Sequence, residues 1–117
     1  MLFPKEFDLG RLLALLRELN IAYKTNSFMA VAMLVRSVID HVPPILGFRT
    51  FNEVVSNYAG TKSFRKSMEH LNSSLRNVAD AHLHVPIRQS EALPTFPQVD
   101  FRADLDVLLG ELARVLK

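Results

Sequence analysis

Leu9, Leu12, Leu13, Leu16, Leu19 and Tyr23 recur every three or four positions, the spacing that gathers side chains on one side of an α-helix. With Asp8 placed to cap it, the pattern predicts a first helix from about residue 8 to about 24, ended by the polar run KTNS. Ser27 stands as the cap of a second helix through FMAVAMLVRSVIDHV, which is apolar nearly all round and is therefore expected at the centre of the fold. Pro43 and Pro44 forbid its continuation. A helical hairpin is the expected result.

Further along, Thr50 and Glu53 have capping-box spacing in front of a short third helix, about 51 to 59, closed by Gly60. Phe64, Met68, Leu71, Leu75, Val78 and His82 then step by fours and threes along one long helix, with Arg65, Lys66, Asn72 and Ser73 on its polar side. Pro86, Pro94 and Pro97 make residues 85–98 an extended connection across the surface. A last helix, about 100–117, aligns Leu105, Leu108, Leu109, Leu112, Val115 and Leu116, although Gly110 costs it about 1 kcal/mol relative to alanine. No strand alternation or internal repeat interrupts this pattern. The expected class is all-α: a small bundle of four main helices plus a short one.

Composition sharpens the picture modestly. A chain of 117 residues suits one domain that buries roughly two thirds of its unfolded surface without a metal or disulfide staple. It reads as a single unit over 1–117, either whole or the C-terminal domain of a longer protein. The absence of cysteine excludes a thiolate nucleophile and a cysteine zinc site and suits a reducing compartment. Pro4, Glu6 and Asp8 stand where a signal peptide needs an apolar core, and the longest unbroken apolar run, FMAVAMLV, is well short of the roughly 20 residues of a membrane span. A cytoplasmic chain without membrane contact is expected. The net charge of +2 is too small to argue for nucleic acid, but the charge is uneven. Residues 61–90 carry Lys62, Arg65, Lys66, Arg76 and Arg88 against Glu69 and Asp80.

Within that basic third, SSLRNVADAHLH (73–84) concentrates Arg76, Asn77, Asp80, His82 and His84. Each has a purely structural role open to it. His82 falls on the apolar stripe, where a satisfied core histidine is common. Arg76 has Asn72 and Asp80 one turn to either side as surface partners. Asn77 and Asp80 can bind solvent or the helix backbone. A metal site built from His82, His84 and Asp80 is disfavoured, because alternate residues diverge on a helix. Arg36 and Asp40, four apart in the most apolar helix, form a structural pair that could support a phosphate contact.

The run RNVADAH, from Arg76 to His82 late in the long helix, resembles the motif of the HEPN superfamily (higher eukaryote and prokaryote nucleotide-binding domains): an arginine, then four to six residues of which the first is usually polar, then a histidine. Asn77 supplies the polar residue. Arg36–His41 and Arg65–His70 match the spacing too, but they lie earlier in the chain and are followed by Ser37 and Lys66. The preceding AVAMLVRSVIDHV resembles the central helix of a bacterial branch, and the likeness covers about residues 10–85. It implies a metal-independent RNA-cleaving or RNA-binding domain without a cofactor, of the kind found in antiviral defence and toxin–antitoxin pairs. Arg76 and His82 would be catalytic, with Asn77, Asp80, His84, Arg36 and Asp40 in support. Histidine takes the ribose 2′-hydroxyl proton, and arginine holds the phosphate as its charge grows. On a continuous helix, six residues place Arg76 and His82 roughly 120° apart and about 9 Å along the axis. One protomer does not easily close such a site. In the family two motif helices meet across a dimer, so a homodimer is expected. The competing expectation is a non-catalytic helical module that dimerises or docks on a partner protein or fused domain.

Overall fold

Asp8 accepts the Gly10 N–H at 2.8 Å, and helix α1 (Gly10–Lys24) begins there, two residues later than the leucine pattern suggests. This computed structural model describes residues 6–117; Pro4 lies outside them. α1 ends in a Schellman turn. Asn26 takes the left-handed conformation at φ 55°, its N–H reaches the Tyr23 carbonyl at 3.2 Å and that of Ser27 reaches Ala22 at 2.8 Å. Asparagine tolerates this geometry better than most residues. Ser27 sits at the N-cap position of α2 (Phe28–His41) but does not cap it. Its hydroxyl instead meets that of Thr25 at 2.8 Å.

α2 is less uniformly interior than its composition suggests. Val31, Ala32, Val35, Val38 and Ile39 are buried, whereas Met29 and Met33 face solvent. The stretch Phe28–Leu46 is, by length and composition, long and apolar enough to cross a membrane. Here it is broken at Val42 into α2 and a 3₁₀ turn, Pro43–Leu46, and its inner side packs against the other helices. Gly47 closes the turn with φ 88°, a conformation that costs a glycine little.

α3 (Phe51–Asn57) starts in the expected capping box, with Thr50 Oγ1 accepting the Glu53 N–H at 3.2 Å and Glu53 Oε1 accepting the Thr50 N–H at 3.1 Å. It ends at extended Tyr58, earlier than expected. Gly60 is not a left-handed cap. Its lack of a side chain matters because a Cβ there would come within 2.8 Å of the Phe64 ring. α4 (Lys62–Val78) is capped by Thr61 and buries Phe64, Met68, Leu71, Leu75 and Val78, the expected stripe.

The proline-containing connection holds one element that the sequence pattern does not predict. Residues 96–99 form a single helical turn, α5 (Phe96–Val99), with a capping box between Thr95 and Gln98. Phe96 packs near the rings of Tyr23 and Phe28, with the Arg102 guanidinium 5.0 Å from its centroid. Tyr23 ties this corner down: its hydroxyl donates to the Val99 carbonyl at 2.7 Å and accepts the Phe101 N–H at 3.2 Å. Burial raises the pKa of that phenol.

α6 (Arg102–Val115) lies against α4 and the 3₁₀ turn, burying Leu105, Leu108 and Leu112. Tyr58 donates to Glu111 at 2.6 Å, and Arg114 grips the same carboxylate at 2.7 and 2.9 Å. The Arg114 hydrogen bonds first, and that of Tyr58 second, hold the Glu111 carboxyl down at a pKa of about 2. One hydrophobic cluster runs from Leu12 to Leu112. The protein is a small all-α bundle, with no strand among the described residues.

Candidate functional site

α4 does not continue as an α-helix to His82. At Ala79 it widens into a π-helical turn, Ala79–Leu83, in which the His84 N–H reaches back five residues to the Ala79 carbonyl at 3.1 Å. Val78 and Ala79 stay buried, Leu83 packs on the core and Asp80 is exposed. Each π residue advances round the axis by less than the roughly 100° of an α residue. The turn therefore leaves His82 more nearly opposite the side that bears Arg76. His82 is half-buried rather than a core histidine, and His84 lies exposed beyond the turn.

Arg76 faces a polar cleft of about 260 Å³ between α2, α3 and α4. Asn52, in the first turn of α3, accepts from Asn72 at 2.9 Å and from the Arg76 guanidinium at 3.4 Å. Across the cleft Arg36 binds Asp40 at 3.1 Å, with both side chains about half exposed. Two guanidinium groups and one carboxylate leave this hollow with a net positive charge, and a guanidinium fork suits phosphate or carboxylate. Asn52 is a site residue that sequence reasoning missed. The capping box fixes where it stands, but no periodicity links it to Asn72.

His82 and Asn77 border a different cleft, about 440 Å³, between the end of α4 and the segment around α5. Its other polar lining residues are His70, Ser74, Gln98 and Asp100. Asp100 is tied to Arg102 at 2.7 and 3.0 Å, and those hydrogen bonds lower its pKa. Beside the cleft, His70 Nδ1 meets the Asp104 carboxylate at 2.5 Å and His70 Nε2 meets Ser74 Oγ at 3.3 Å. His70 ends the Arg65–His70 pair, which shares the motif spacing but lacks the polar, uncharged residue after its arginine.

Comparison with known proteins finds no family model, no curated relative and no solved structure that matches this chain.

Geometry therefore divides the seven sequence candidates. Arg76, Arg36 and Asp40 come together on one side, His82 and Asn77 on another, and Asp80 and His84 stand at the exposed helix end. Among the described residues, no three histidine, aspartate or glutamate side chains gather to hold a metal ion. Within one protomer the arginine side can bind an anion and the histidine side can exchange a proton, but the two do not share a cavity.

Proposed function

We propose that the chain is a HEPN-like RNA-binding domain of the metal-independent, RNA-cleaving type, acting in the cytoplasm as a homodimer. The observation that supports this is the cleft holding Arg76 and Arg36 together, with Asn52 and Asn72 fixing the approach to it. Since His82 lines another cavity, cutting requires a second copy. The partner's histidine takes the 2′-hydroxyl proton while Arg76 holds the phosphate that the oxygen attacks; the bond from phosphorus to the 5′ oxygen breaks, that oxygen leaves as a hydroxyl with the proton the histidine returns, and the other fragment ends in a cyclic phosphate. Phage defence or a toxin–antitoxin pair is the setting that the resemblance implies.

Complementation tests the composite site. In chelator, single-stranded RNA is incubated with wild type, Arg76→Ala, His82→Ala and an equal mixture of the two variants after subunit exchange. Each variant alone is expected to lose at least about 100-fold in rate. The mixture should recover about a quarter of wild-type activity, because half of its dimers are mixed and each mixed dimer keeps one intact site. Arg65→Ala and His41→Ala, in the two other spacing matches, should cut normally. Loss without recovery on mixing removes the shared site. RNA binding without cutting, weakened by Arg76→Ala with a shallower salt dependence, leaves a binder that retains its phosphate contact.

A second reading has its own support. Leu13, Ile21 and Met33 are each more than half exposed on α1 and α2, which favours a non-catalytic module that docks on another protein. Wild type that sediments as a dimer yet neither binds nor cuts RNA would establish it.

A further inference from the structure

Ser74 behaves differently from Ser37. Ser37 turns its hydroxyl back to the carbonyl four residues earlier, Met33, at 3.0 Å, the usual resting place of a helical serine. Ser74 instead points its hydroxyl at the His70 ring, 3.3 Å from Nε2. The ring has its other nitrogen against Asp104, in the first turn of α6. A carboxylate only accepts, so in the neutral ring the hydrogen sits on Nδ1 and Nε2 carries the lone pair. Ser74 O–H then donates to Nε2. Nucleophile, base and orienting carboxylate form an unbroken chain, with the Asp104 side chain 16% exposed and the His70 side chain 70% exposed to solvent and substrate.

The adjoining cavity suits a small substrate. Its volume of about 440 Å³ lies in the range of small-molecule pockets, and Val78, Ala81, Pro97 and Phe101 give it apolar walls. Two amides reach its rim, Asn77 and Gln98. Gln98 uses its oxygen to accept the Thr95 N–H at 2.9 Å, so its amino end is the donor left over for a developing oxyanion. The lining contains no lysine or arginine, and its one carboxylate, Asp100, is already paired with Arg102, so a small group held by this cleft alone is best neutral.

We propose that Ser74, His70 and Asp104 form an acyl-transfer site for small neutral esters, one that uses neither Arg76 nor His82 although His82 lines the same cleft. Ser74 Oγ bonds to the acyl carbon as its proton passes to His70 Nε2. The tetrahedral adduct collapses, the bond to the alcohol oxygen breaks, and the alcohol leaves with that proton. Water then gives a proton to Nε2 and bonds to the acyl carbon, and Ser74 departs with the proton as the carboxylic acid is released. Asp104 touches only the His70 ring and is a positioning residue.

The test follows p-nitrophenyl butyrate hydrolysis by the full chain, together with intact-mass and peptide mapping after treatment with a fluorophosphonate. Wild type is expected to turn over the ester and to take up one label, on Ser74. Ser74→Ala should abolish the label and lower the rate at least about 100-fold, and His70→Ala should do the same. Asp104→Asn should lower kcat more than it changes KM and should displace the pH–rate profile, which a merely structural carboxylate would not do. His41→Ala controls for simple imidazole hydrolysis at a histidine outside both clefts and should be silent. Thermal melts confirm that each variant is folded. Labelling elsewhere or not at all, or a Ser74→Ala rate equal to wild type, overturns the proposal, and RNA cutting by Ser74→Ala, in which Arg76 and His82 are intact, reports separately on the RNA reading.

Discussion

Glu111 is held well away from the environment of a free side chain. Arg114 and Tyr58 together depress its carboxyl to about 2 from an ordinary value near 4.5. A group whose folded pKa is lowered stabilises the fold fully above the unfolded value and loses that contribution as pH falls towards the folded one. The window here runs from about pH 4.5 down to about pH 2. Across it, melting temperature should fall more steeply for wild type than for Glu111→Gln, and the two curves should converge near pH 2; parallel curves in thermal melts at pH 7, 4.5, 3 and 2 would show that the carboxylate contributes nothing. Residue-scale contacts of this kind were illegible in the sequence. Tyr58 and Glu111 are 53 positions apart, and His70 and Asp104 are 34 apart, distances over which no local pattern carries information. Arg76 and His82 were legible as chemical types at a suggestive spacing, but not as members of separate clefts.

Helical period served well at the scale of elements, because an apolar side that recurs every three or four residues is what a half-buried helix, and little else, produces. The stripe of α4 supplies the buried positions that its spacing indicates, whereas α1 does so at Leu12 and Leu19 and α6 at Leu105, Leu108 and Leu112, with Leu13 and Val115 of the same patterns left exposed. Two elements escaped. The π turn after Val78 needs only one extra residue per turn, which changes neither composition nor the short-range alternation of apolar and polar positions. The single turn of α5 was signalled by Thr95 and Gln98, yet three prolines nearby argued for an extended chain. Gly110 provides the element-scale prediction. It lies inside α6, and a Cβ added there meets nothing within 4 Å, so Gly110→Ala should add about 1 kcal/mol. That is roughly 4 °C in melting temperature for a domain of this size, measurable by calorimetry. An unchanged or lower value would mean that the exposed glycine is kept for a contact outside the chain.

The whole molecule has a single core that α6 helps to close. Ending the chain at Ala92 removes Val99, Phe101, Leu105, Leu108 and Leu112, all buried. At about 1.5–3 kcal/mol for each buried side chain, the loss is comparable with the ~5–15 kcal/mol that holds a whole domain together. The shortened chain should therefore be unfolded or aggregated by circular dichroism and sizing; a soluble, cooperatively melting product would make α6 an appendage. The all-α class was readable from the sequence because four helical patterns without a strand leave only helix-on-helix packing to bury their apolar sides. The closing contact was not, because it joins the end of α1 to the residues just before α6. That contact also sets a schedule. The Tyr23 hydroxyl precedes its partner, the Phe101 N–H, by 78 residues, which at a synthesis rate of about 5–20 residues per second is a wait of about 4–16 s. For that interval the apolar sides of α1 and α2 have no finished core to enter.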